Sequence, residues 1–161
     1  MCPGFKRLRL LQVDPKIIPP DDTKTFDIRH QMDLPSDDTT YWCSTHKLPS
    51  PLRRKHHVIQ YEPVITPNNE HVVHHMEVFH CTSDNPAEEF PLWSGPCGSD
   101  EAPEKLAQCK KVLAAWAIGA GPFTYPQEAG LKFGGQDFNQ FVMLEVHFNN
   151  QNMEQGCVLT S

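Results

Sequence analysis

No apolar run in the sequence approaches the roughly 18 to 20 residues that a membrane-spanning helix requires. The best stretch, Val112 to Ala120, is about half that length, and no membrane span is expected. Nor is there a stripe of positive charge. Lys and Arg number 14 against 20 Asp and Glu, for a formal charge of −6, and only Arg53-Arg54-Lys55 forms a basic run. Nucleic acid is therefore excluded as a main partner, because affinity for a phosphate backbone comes from neutralising many phosphates together. Met1 to Leu11 contains basic residues but no apolar segment of about 7 to 15 residues with a small-residue cleavage site, so no signal peptide is visible in the chain. There is no Asn-x-Ser/Thr sequon. The six cysteines include no C-x-x-C pair, which removes thioredoxin-type redox and zinc-knuckle chemistry. Gly119-Ala120-Gly121 and Gly134-Gly135 lack the Lys-Ser/Thr of a phosphate loop and are read as turns.

What remains is a chain of 161 residues with 15 prolines and 9 glycines set between short runs rich in Val, Ile, Phe, Tyr and Thr. That length suits one buried core, and the pattern of many short strands and turns implies an all-β fold, an antiparallel β-sandwich of jelly-roll type. Strands are expected over Thr25 to Gln31, Thr39 to Thr45, His57 to Thr66, Val72 to Cys81, Val112 to Ile118 and Phe141 to Phe148. One short helix is expected over Ala102 to Lys111, capped by Ser99 or Asp100, with acidic residues early and lysines late. The acidic connection from Thr82 to Ser99 is too long for a hairpin loop, and Cys81, Cys97 and Cys109 are placed to tether it. Structural disulfides are the better use of these cysteines, which implies an oxidising route and sits uneasily with a leaderless chain. That tension favours a piece of a longer protein.

Nine histidines are present, with two adjacent pairs, His56-His57 and His74-His75. His74-His75-Met76-Glu77-Val78-Phe79-His80-Cys81 and Leu144-Glu145-Val146-His147-Phe148 together suggest a metal held between two strands. Neighbouring side chains on a regular strand point to opposite faces, so His74 and His75 can reach one ion only at a strand end or a bulge. Residue type alone favours a plainer account, in which His74 packs inward, His75 faces water and His147 is a satisfied core histidine. His56-His57 follows three cations and is disfavoured as a metal site; His30, His46, His71 and His80 carry no assigned role.

The ordered motifs add more. Thr39-Thr40-Tyr41-Trp42-Cys43, His56-His57-Val58-Ile59-Gln60-Tyr61-Glu62-Pro63 and the His74 to Cys81 segment are followed by Ser94-Gly95-Pro96-Cys97 and Leu113-Ala114-Ala115-Trp116-Ala117-Ile118-Gly119-Ala120. Tyr125-Pro126-Gln127-Glu128-Ala129-Gly130-Leu131, Phe133-Gly134-Gly135 and Leu144-Glu145-Val146-His147 complete the series. From about Leu10 to Asn149 this series resembles the copper type II, ascorbate-dependent monooxygenases, in particular the dopamine and tyramine β-hydroxylase branch.

The resemblance implies a catalytic core of two β-sandwich copper domains, with this chain matching the first. Its copper ligands would be His74, His75 and His147, a set of imidazoles that suits both oxidation states of copper. The site would pass single electrons from ascorbate rather than bind substrate. Tyr41 and Glu145 would orient the ligand rings, whereas Met76 is better explained as a core residue. The family's disulfides would pair Cys43 with Cys97 and Cys81 with Cys109; Cys2 and Cys157 have no secure counterpart. Residues 1–24 are expected to be a lead-in, 25–149 the copper domain and 150–161 a divergent tail. The second domain, with its His-x-His pair and later Met, is missing from the sequence, so the chain is expected not to β-hydroxylate a phenylethylamine such as dopamine or tyramine by itself. A location in the secretory pathway is implied. The competing functions are a secreted, non-catalytic copper-binding module and, more remotely, a three-histidine zinc hydrolase.

Overall fold

The computed structural model describes residues 23–34 and 36–160, excepting the side chains of 157–159. The strands in this region are β1 (His30–Asp33), β2 (Thr39–Lys47), β3 (His56–Val58), β4 (Gln60–Tyr61), β5 (Val73–Cys81), β6 (Ser94–Pro96), β7 (Cys109–Ala117), β8 (Phe123–Thr124), β9 (Leu131–Phe133), β10 (Phe141–Asn149) and β11 (Cys157–Thr160). Every pairing between them is antiparallel.

β10 organises the fold, as the central strand of a five-stranded sheet in the order β6-β2-β10-β5-β7. Its alternation explains that position. Val142, Leu144, Val146 and Phe148, every second residue, are fully buried on one face. Each such side chain contributes about 1.5–3 kcal/mol by leaving water. Against one end of this face pack Leu34, Val72, Val73 and Met76 with Met32, Trp42 and Trp116. Leu48, Leu113, Phe133 and Phe138, with Leu52, Val58 and Leu131, cover the other end. Met32 belongs to β1, and Val58, Leu131 and Phe133 to β3 and β9, so the two-stranded pairs β1–β11 and β3–β9 supply the second layer of an all-β sandwich.

The opposite face of the five-stranded sheet changes character along its length. At one end Phe141 and Met143 cluster with Phe90, Leu106 and the half-cystines Cys43, Cys81 and Cys109. At the other end the paired registers line up Tyr41, His147 and His75 across three strands, and beside them Cys43, Glu145 and Glu77. The polar end of this face is where function is to be sought.

Among the described residues two disulfides staple the fold: Cys43 with Cys97, and Cys81 with Cys109. Both are the pairings implied by the family resemblance. Cys2 lies outside the described residues, as does the side chain of Cys157. The acidic connection after Cys81 is tethered as expected, and by more than cysteine. Thr45 Oγ1 donates to the Pro91 carbonyl at 2.7 Å, Asn139 Nδ2 donates to the Glu88 carbonyl at 2.8 Å, and Lys47 and Lys105 pair with Glu89 and Glu88 at 2.6 and 2.7 Å.

The helix expected over Ala102 to Lys111 is corrected: a five-residue 3-10 turn, Glu104–Gln108, takes its place, and residues from Cys109 onward are strand. Pro103 precedes the turn, and Cys81 lies opposite Cys109 in the β5–β7 register, so bridging and sheet pairing override the local helical preference of the lysines. The strand expected from Thr25 begins only at His30, and the one expected from His57 to Thr66 divides into β3 and β4 at Ile59.

Three histidines away from the polar end are held neutral by the core. His30 is buried with Nε2 lacking a hydrogen-bond partner, and burial, reinforced by His46, lowers its pKa to about 4. Burial also lowers His46 and His80; His80 stacks on Phe138 at 3.8 Å and hydrogen bonds the Asn139 carbonyl at 3.0 Å. Below about pH 6.5 the unfolded chain takes up protons that these rings refuse, so stability falls as pH drops from there towards about 4. His30 alone accounts for about 2 kcal/mol by about pH 5. Urea midpoints should therefore fall between neutrality and pH 5, and His30→Gln should narrow the gap. A midpoint insensitive to pH would contradict this origin of acid sensitivity.

Candidate metal centre

The difficulty with adjacent histidines on one strand is resolved by a bulge. In the β5–β10 ladder His75 lies opposite His147 and Val73 opposite Phe148, so His74 is the extra residue with no partner on β10. Its carbonyl instead accepts the Ile118 N–H at 2.8 Å, on the β7 side. Burial along the segment shows the effect: Val73 and Met76 are buried, while His74 is exposed and His75 half-buried. Two apolar anchors, one on each side, thus turn both imidazoles out to the same face.

His147 joins them from β10. The Nδ1 of His75 is 3.2 Å from Nδ1 of His74 and 3.2 Å from Nδ1 of His147. A neutral imidazole has one N–H and one lone pair, and the His75 nitrogen faces two others at once. With all three lone pairs turned inward, the nitrogens form the donor set of one cation. These two separations fit, because two nitrogens sharing an ion at about 2.0–2.1 Å each can lie no more than about 4.2 Å apart, and the three rings all offer a nitrogen within 4.8 Å of the others. Imidazole donors without thiolate or carboxylate suit copper and zinc alike.

Burial lowers the pKa of His75, with His74 adding to the effect and Glu77 opposing it; burial followed by His75 and His74 lowers His147. Ligation needs neutral rings, so these shifts favour binding at mildly acidic pH over what free histidine would allow.

Tyr41, directly across from His147 on β2, lies flat on its ring, with centroids 4.2 Å apart and planes within 4°. It contacts the ring by stacking, and its own edge stays open to solvent. Glu145 lies elsewhere than on His147: its carboxylate groups with Glu77 and the His75 ring, the ligating atoms all within 4.8 Å of one another. Burial raises its pKa, and the Glu77 carboxylate opposite raises it further. Glu145 Oε2 is also 3.7 Å from Cys43 Sγ. That sulfur belongs to a disulfide and carries no hydrogen, so the contact is van der Waals, and Cys43, Cys97 and Glu145 do not form a metal site.

Glu77 was missed by sequence reasoning. Its signal was symmetry: it follows His75 by two residues as Glu145 precedes His147 by two, and antiparallel pairing of the histidines brings the carboxylates together. His56 and His57 lie on β3 and, with His30, His46, His71 and His80, take no part in the cluster.

Residues 26–155 match the family model described as copper type II ascorbate-dependent monooxygenase, N-terminal domain. The chain is 48% identical over 157 residues to dopamine beta-hydroxylase of Canis lupus familiaris, which covers 95% of this chain and 24% of that protein. Against dopamine beta-hydroxylase of Homo sapiens identity is 44% over 155 residues, covering 95% and 25%. Against tyramine beta-hydroxylase of Caenorhabditis briggsae it is 45% over 129 residues, covering 80% and 21%. The chain thus spans about a quarter of the length of these relatives. By this match and by its disulfide-stapled β-sandwich, the chain belongs to the copper type II ascorbate-dependent monooxygenase family and carries that family's N-terminal domain.

Proposed function

We propose that residues 25–149 form a copper domain in which His74, His75 and His147 hold one copper ion, with Tyr41 and Glu145 positioning the rings. The observation that carries this is the bulge at His74, which brings the Nδ1 atoms of His74 and His147 each to 3.2 Å from Nδ1 of His75. Copper held by imidazoles supplies one-electron storage, because nitrogen donors serve both of its oxidation states. The chain's own residues set the conditions. Burial lowers the pKa of His75 and His147, which favours their neutral, ligating form. Tyr41 fixes the plane of His147 by stacking. Glu77 and Glu145 place negative potential beside His75, where cationic charge would accumulate. The exposed edges of His74 and Tyr41 leave room for ascorbate, the reductant of this family, to approach.

We further propose that the site serves a larger monooxygenase, handing single electrons to a second copper domain where a phenylethylamine such as dopamine or tyramine is β-hydroxylated. The names of the relatives support that substrate class. No His-x-His pair occurs in these 161 residues, so this chain alone is expected to cycle its metal without hydroxylating an amine. Residues 1–24 then act as a lead-in and 150–161 as a tail. The two disulfides support assembly in the secretory pathway.

Metal analysis after mild reconstitution is the direct test, and a single copper per chain is expected. Its electron paramagnetic resonance signal should vanish on adding ascorbate, a behaviour zinc cannot mimic. A reconstituted chain without bound copper would overturn the assignment.

A further inference from the structure

An acidic chain, with 20 carboxylates against 14 Lys and Arg, nevertheless carries within its described residues a patch of positive charge with no carboxylate in its own segment. No Asp or Glu occurs from Lys47 to Tyr61, and Arg53-Arg54-Lys55 lies within that interval. Across the β3–β9 ribbon, Lys132 stands opposite His57. Arg53, Arg54, Lys55 and Lys132 are all exposed, and among the described residues none is in an ion pair. The acidic residues nearest in sequence, Glu62, Glu128 and Asp137, make no ion pair with them.

The backbone that carries these cations is fixed rather than loose. Ser50–Arg53 is a 3-10 turn, and the Gly135 N–H donates to the Arg53 carbonyl at 3.1 Å. Gly134, at φ +70°, sits so close that a Cβ there would lie 2.2 Å from the Arg54 carbonyl oxygen and 2.3 Å from that of Leu52. Only glycine permits this approach. Leu52 packs against the buried cluster of Phe133 and Phe138. The basic turn is thereby bolted to the second layer, and its side chains leave from a rigid platform, which reduces the ordering cost of binding.

We propose that the Arg53–Lys55 turn, with Lys132 across the ribbon, is a docking surface for a linear sulfated polysaccharide, recognised through closely spaced sulfate groups. This goes beyond the copper assignment and does not depend on it. A group of exposed cations carried on a fixed backbone suits a polyanion, whose counterions are released on contact. A membrane surface fits less well, since the exposed large apolar side chains, Phe26, Tyr41, Val64, Leu92, Val112, Ile118, Phe123 and Met153, all lie outside residues 50–57 and 130–137. The disulfides indicate an oxidising compartment, where sulfated glycans rather than nucleic acids are the abundant polyanions.

The test uses the full chain on immobilised heparin with a salt gradient. Retention is expected above about 0.15 M salt. Arg54→Ala/Lys55→Ala should elute earlier and reduce the slope of log affinity against log salt by about two. The charge-matched control Lys110→Ala/Lys111→Ala, on β7, should behave as wild type. Lys132→Gln, on the other strand, provides a variant that leaves the turn untouched and should lower the slope by about one. Unchanged circular dichroism spectra and urea midpoints show that the variants fold. Equal losses in the control, no wild-type retention at about 0.15 M salt, or capture by phosphatidylserine vesicles without heparin binding would each overturn the proposal.

Discussion

Replacing His147 with alanine is expected to abolish stoichiometric copper binding while leaving the sandwich folded. The half-buried ring supplies one of three converging nitrogens, one of the two that flank His75 at 3.2 Å, and its loss leaves only the neighbouring pair on β5. Disturbing groups that merely orient a ligand typically costs about 10–100-fold in affinity, so deleting a ligand should cost at least about 100-fold. Stability without metal should change little, because the ring lies at the polar end of the sheet and not among the side chains that pack the sandwich. Tyr41→Leu, which removes the stacked ring but no donor, should weaken binding by a smaller factor and alter the resonance spectrum. Copper titration with a competing chelator gives the ranking; full copper content in His147→Ala would remove this histidine from the site.

Breaking the Cys81–Cys109 bridge is expected to have the second large effect. The half-cystines are 28 residues apart, and on the chain-entropy model bridges closing loops of about 15 to 100 residues contribute between about 3 and 4.7 kcal/mol. Cys81→Ser/Cys109→Ser should therefore lower the urea midpoint substantially. It should also reach the metal. The bridge ties the end of β5 to the start of β7, and β7 leads into Ile118, whose N–H holds the carbonyl of the bulged His74. Loosening β7 frees that carbonyl and lets the bulge relax, so copper affinity should fall together with stability. An unchanged midpoint would show that sheet pairing alone holds this edge.

The long strands were legible because period-two patterning coincides with burial. β10 alternates between a core set and an outer set, and the two faces of β5 divide in the same way except at His74. The three histidines that converge were singled out by resemblance, but the sequence could not show how two adjacent residues share a face. That depends on register, and register is decided by packing of Val73 and Met76 against β10 neighbours distant in sequence. The helix was misread for a related reason. Residues 102–111 have acceptable helical chemistry, yet Cys109 and its successors are worth more to the sheet edge than to a short, unsupported helix. Glu77 could have been found by pairing the two strands on paper, but the carboxylate pair acquires meaning only once His75 is known to face His147.

The bulge also sets what kinds of sequence change the centre can survive. A register is counted in whole residues, so the arrangement at His74 has no intermediate forms. Conservative exchange of Val73 or Met76 shifts the anchors by fractions of an ångström and leaves the count intact. Deleting one residue between Val72 and Met76 restores a regular ladder and either removes one of the two imidazoles or, if Val73 is the residue lost, sends His74 to the opposite face. In descendants of this chain the centre should therefore tolerate many substitutions around it, yet disappear in a single step through an in-frame deletion of one codon, with the sandwich itself still able to fold.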